Sequence, residues 1–167
     1  MRFFLLAMLL MLFAISCKKN KMEEPDLFTR YRSAGINGAT IEELREAREA
    51  TARYQSLDSA IADGYADIAV DVEHMGHHYM KTSLVDSVFD KLKPEILVYN
   101  RDHDNHAYLV AVEYAVPLTY AKPDGFIDQQ DVWKGDSGFP FWLLHAWVWA
   151  YNPGGVFNWT NETVHMH

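Results

Sequence analysis

Histidine and carboxylate side chains are placed in this chain where they could do acid–base or metal chemistry. Eight of the 167 residues are His. Three lie close together in Glu73-His74-Met75-Gly76-His77-His78-Tyr79, His103 and His106 sit about a polar turn, His145 lies in an apolar run, and His165 and His167 end the chain. Read as a strand, 141–151 puts Phe141, Leu143, His145, Trp147, Trp149 and Tyr151 on one face and Trp142, Leu144, Ala146, Val148 and Ala150 on the other. In 107–116 the same alternation groups Glu113 with Leu109, Ala111 and Ala115. A carboxylate among small apolar neighbours is costly unless it is paired, hydrogen-bonded or bound to a metal. The expectation is that His78, Glu113 and His145, with His77, converge in a pocket walled by Tyr79, Trp147 and Trp149. Neutral imidazoles and a carboxylate suit zinc or a similar divalent metal with open positions for water or substrate. A metal-free pocket for a small ligand stands beside that, as does a buried Glu–His pair that only braces the sheet. The spacing His-x₂-His-His matches no strict ligand motif.

The other chemistry-bearing residues carry less. Asp102, His103, Asp104 and His106 suit a solvated turn better than a chelate. His165 and His167 could bind a metal adventitiously but suit a polar tail better. Asp124, Asp128, Asp131 and Asp136 lack the oxygen spacing of a Ca²⁺ loop. All five Trp fall at 133 or later, which favours a core over a carbohydrate-stacking platform. No nucleophile elbow, P-loop or dinucleotide fingerprint is present.

The elements that must position these residues follow from periodicity. Thr40-Ile41-Glu42-Glu43 has the form of a capping box. Apolar residues recur every three or four positions from Ile41 through Leu44, Ala47, Ala50, Tyr54 and Leu57 to Ile61, with Gly64 as a stop, so the pattern predicts one helix of about 23 residues. Runs 94–99 and 107–116 predict an antiparallel hairpin across Asn100–Asn105, and 141–151 a third strand ended by Asn152-Pro153-Gly154-Gly155. Residues 119–140 read as a long loop, and 86–92 as a short second helix. The fold class expected is α+β: one long N-terminal helix packed on a small antiparallel β-sheet of three to five strands.

Fourteen of the first sixteen residues are hydrophobic, behind a single Arg2. The apolar run Phe3–Ile15 is too short to span a bilayer but fits a signal peptide. It ends at Ala14-Ile15-Ser16-Cys17, and Cys17 is the only cysteine of the chain. The expected organisation is a signal peptide over 1–16, a lipidated Cys17 and flexible tether over 17–38, and a single α+β domain over 39–167. Several acyl chains such as palmitate on one residue anchor firmly where one does not. Without the leader the chain carries 14 basic and 23 acidic residues, a net charge of −9. That charge excludes a generic nucleic-acid binder and disfavours electrostatic attachment to anionic lipid. With no second cysteine there is no disulfide.

Ala14-Ile15-Ser16-Cys17 resembles the lipobox of bacterial lipoproteins, and Lys18 resembles the pattern that permits outer-membrane sorting. The resemblance implies a membrane partner through the lipid anchor and a place in the bacterial cell envelope. Further blocks, Ala50–Tyr54, Ala60–Tyr65, Met75-Gly76-His77-His78-Tyr79, Leu144-His145-Ala146-Trp147-Val148-Trp149, Asn152–Phe157 and Trp159, resemble a family of uncharacterised exported bacterial proteins. In that family the position of His77 is often Tyr, so the resemblance implies a role for His78 and His145 above His77. A shorter segment, His77-His78-Tyr79 with Val110-Ala111-Val112-Glu113-Tyr114, resembles the oil-body-associated proteins of plants and their bacterial relatives, and would single out His77, His78 and Glu113. The function expected is a membrane-anchored binding domain for a small ligand or divalent metal. A metal-dependent enzyme using the same pocket, or an accessory subunit of an envelope complex, are the alternatives.

Overall fold

The computed structural model describes residues 26–166; the expected signal peptide over 1–16, Cys17 and the start of the expected tether lie outside the described residues. Five antiparallel strands are joined in simple sequential order, β1 (Ala66–Val72), β2 (Gly76–Met80), β3 (Ile96–Arg101), β4 (Ala107–Pro117) and β5 (Phe141–Ala146). The helices are short: α1 (Leu27–Ser33), α2 (Gly38–Thr51) and α3 (Leu57–Ala62).

The single long helix is therefore a wrong expectation. A 3₁₀ turn at Ala52–Gln55 and an extended Ser56 interrupt it. Thr51 bonds back to the Ala47 and Arg48 carbonyls through its hydroxyl, and Ser56 caps a fresh helix by accepting from the Ser59 amide. Such side chains compete with the helix for its own backbone groups. The apolar stripe fails with the helix, for Ile61 is 52% exposed. The capping box is also absent. Asn37 caps α2 by accepting from the Ala39 amide, while Thr40 and Glu43 hold a distant loop, donating to the Ile127 carbonyl and accepting from the Ile127 amide.

Residues 27–33, expected to be tether, form α1. Asp26 caps it by accepting from the Phe28 and Thr29 amides, and Phe28 and Tyr31 are buried. Residues 86–92 form no helix, and the strand expected to run to Tyr151 leaves the ladder after Ala146. Strands β1 and β2, whose turn holds His74 and whose second strand holds His77 and His78, have too mixed a pattern to be placed from sequence. Gly76 opens β2 at φ 124°, and a Cβ there would stand 2.3 Å from the Tyr99 carbonyl oxygen, so only Gly lets β2 lie this close to β3.

Alternation divides the sheet into two faces. Leu97, Tyr99, Val112, Tyr114 and Leu144 take the helix side, where Tyr99 donates its hydroxyl to the Tyr54 carbonyl. His78, Met80, Ile96, Val98, Ala111, Glu113 and His145 take the other.

Candidate functional site

Glu113 lies directly opposite Ile96 on one side and His145 on the other, in the middle of the sheet. The residue is 2% exposed. Burial alone raises its pKa to about 8, so the group holds its proton at neutral pH. Oε1 has no hydrogen-bond partner. From β2, His78 brings Nε2 to 3.8 Å from Glu113 Oε2.

The tautomer of His78 follows from the strand beside it. A bulge between Asp67 and Asp71 breaks the β1–β2 register, and Ala69 within it takes φ 54°. The Val70 carbonyl, freed from the ladder, lies 2.8 Å from His78 Nδ1. A carbonyl only accepts, so Nδ1 carries the proton and Nε2 presents a bare lone pair toward Glu113. Burial lowers the His78 pKa, with the Val70 bond opposing, and the imidazole is neutral. The pair is thus a neutral acid facing a neutral base.

A cavity of about 390 Å³ opens over this pair. Its other walls are almost wholly apolar: Ile68, Val70 and Val72 from β1, Met80 and Ile96 from the sheet, Phe139 and Phe141 from the segment before and into β5, and Trp159 from the C-terminal tail. A larger cleft, about 610 Å³, lies beside α1. It is wider, but its cations are engaged: Arg45 with Asp26 and Glu42, Arg30 over the Tyr151 ring, and Arg48 on the Val148 carbonyl and the Trp149 face. The smaller cavity holds the perturbed groups and is the candidate site.

The expected site residues divide. His78 and Glu113 line the cavity together. His145 is paired with Glu113 in register but lies behind the wall, fully buried between Trp147 at 4.6 Å and Trp159 at 6.3 Å between ring centroids. Neither of its ring nitrogens has a hydrogen-bond partner, and burial, with His78 nearby, holds its pKa well down. His77 alternates to the helix side and bonds Asp71 through Nδ1 at 2.6 Å. Tyr79 goes with it, ring to ring with Tyr99, and is no wall of the pocket. Trp149 lines the other cleft and donates to Thr51 Oγ1. Trp147 is buried behind His145, its indole N–H on the Asn158 carbonyl. These last placements differ from expectation because 147–151 is not strand, so alternation does not reach it. Trp147 is buried and the other four Trp are half-buried.

As a metal centre the trio is unready. Among the described residues, the groups of three ligand side chains within 4.8 Å of one another are Glu73, His74 and His165, and Asp102, Asp104 and His106. Sequence reasoning missed Ile68, Ser137, Phe139 and Trp159, which reach the cavity from segments without a period.

Fold and site together define a five-stranded antiparallel meander that holds a neutral Glu–His pair at the floor of an apolar cavity. Comparison with protein-family models, with curated proteins and with solved structures finds no match to this chain.

Proposed function

We propose that this protein is a lipid-anchored binding domain of the bacterial cell envelope, whose cavity takes a small, largely apolar ligand that carries one hydrogen-bonding polar group. The observation that supports the ligand is the Glu113–His78 pair, each side chain 3% exposed, 3.8 Å apart beneath an apolar cavity. A protonated carboxyl and an imidazole lone pair offer one donor and one acceptor and no charge, which suits an alcohol or carbonyl better than a cation. About 390 Å³ falls in the range of small-molecule sites. An organic ligand is favoured over a divalent metal because His78, Glu113 and His145 are not gathered within ligand distance of one ion. The lipid anchor and outer-membrane placement rest on the Cys17 lipobox and Lys18, and the resemblance to exported bacterial proteins is proposed on the same footing.

The test uses 1-decanol as probe and thermal unfolding of the full chain as readout. Decanol should raise the melting temperature. Glu113→Leu, which keeps the cavity apolar but removes the polar contact, should weaken that response about tenfold, the worth of one hydrogen bond at about 1.4 kcal/mol. Phe139→Arg, at a 42% exposed position of the wall, should abolish it. A decanol response unchanged in both variants rules the cavity out as the binding site.

A further inference from the structure

The second cluster of ligand side chains lies outside the cavity, where the C-terminal tail crosses the β1–β2 turn. Glu73 Oε1 stands 3.7 Å from His74 Nδ1 and 3.7 Å from His165 Nδ1. The two imidazoles meet edge to face with centroids 5.2 Å apart. The Val164 carbonyl oxygen is 3.1 Å from His74 Nδ1, and on the far side of that ring Nε2 is 3.5 Å from Glu162 Oε2. Ligands of a tetrahedral zinc at about 2.0–2.1 Å are separated by about 3.4 Å, and these contacts to Glu73 and Val164, at 3.1–3.7 Å, lie close to that spacing, with one ligand atom from each of the three side chains within 4.8 Å of the others.

We infer that Glu73, His74 and His165, with the Val164 carbonyl, form a divalent-metal site of zinc type that clamps the C-terminal tail onto the β1–β2 turn. Two imidazole nitrogens, a carboxylate and a carbonyl oxygen suit zinc, copper(II) or nickel(II) over magnesium or calcium. On binding through Nδ1, His74 passes its proton to Nε2 and donates it to Glu162, the carboxylate–histidine arrangement that orients a metal ligand. Glu73 and Glu162 together balance the two charges of the ion.

The backbone under the ligands is already fixed. The Asn161 amide donates to the His74 carbonyl at 2.8 Å, and Asn100 Nδ2 donates to the His165 carbonyl at 2.9 Å. Asn161 and Val164 are buried on either side of Glu162. His74 and His165 are thus held from both chain segments before any ion arrives, which lowers the ordering cost of binding. The clamped tail is the one that carries Trp159 over the cavity.

Zinc titration of the full chain, purified without a polyhistidine tag, tests the site. One equivalent should bind and raise the melting temperature, and cobalt(II) in its place should give the intense visible bands of tetrahedral coordination. Glu73→Gln and His165→Ala, both at exposed side chains, should each weaken zinc binding tenfold or more with the circular dichroism unchanged. Asp104→Asn, in the turn cluster, and His145→Ala, behind the cavity, should leave it intact. Zinc affinity unchanged in His165→Ala overturns the site, and loss of zinc only in His145→Ala overturns it in favour of an ion in the cavity.

Discussion

At the residue scale, Glu113 and His145 show how much a single strand position carries. The period of two is local and needs no knowledge of the rest of the fold, so the sequence placed both side chains on one face, and they pair across β4 and β5. Depth is not local, and it is depth that sets their charge. The Glu113 pKa rises from 4.5 to about 8 because burial penalises the carboxylate. Between those values the folded chain keeps a proton that the unfolded chain has lost. Stability therefore falls as pH rises through that window and levels off above it. Glu95, raised to about 8 by its own burial against an opposing bond from the Ala115 amide, adds to the same slope. The buried histidines act the other way, since a lowered pKa takes stability away as pH falls below the ordinary histidine value. Glu113→Gln isolates one carboxyl from these others. The variant should gain on the wild type between pH 5 and pH 8 by at least about 1.4 kcal/mol, the equivalent of one pKa unit, in urea unfolding. An equal difference at the two pH values would mean that Glu113 ionises freely within the fold.

At the element scale, what was illegible was short, interrupted or made of distant parts. Seven residues of α1 are too few for a helical period to register, so Phe28 and Tyr31 passed for tether. The bulge in β1 breaks the alternation that would have announced a strand, yet it frees the Val70 carbonyl that orients His78. In 40–63 the period is real over Ile41, Leu44 and Ala47, but Thr51 and Ser56 end it with hydroxyl bonds that no apolar pattern records. The cavity wall is illegible for a third reason, since Phe139 and Trp159 come from segments whose position only the tertiary fold decides. The weight of α1 can be measured. The Tyr31 hydroxyl donates to the Trp147 carbonyl at 3.0 Å and accepts from the Asn152 amide at 2.8 Å, tying the first helix to the segment that follows β5. Tyr31→Phe keeps the ring and strands both backbone groups in a buried place, so it should cost about 1–3 kcal/mol in urea unfolding. A segment that were tether would lose nothing.

At the scale of the whole molecule, α1 also shortens the leash. With the fold starting at Leu27, only nine peptide steps separate Cys17 from Asp26, a reach of at most about 30 Å. A lipid on Cys17 would hold Asp26 and the start of α1 within roughly one bilayer thickness of the membrane surface. Among the described residues no helix is long and apolar enough to cross a membrane. The net charge of −9 beyond residue 16 is repelled by anionic lipid. Attachment by acyl chains predicts that high salt leaves the protein in the membrane fraction, because CH₂ burial at about 0.8 kcal/mol per group is not screened. It also predicts that labelled palmitate enters the wild type and is lost in Cys17→Ser, while the domain's thermal unfolding stays unchanged. Palmitate entering neither protein would remove the lipid anchor, and with it the short leash between α1 and a membrane.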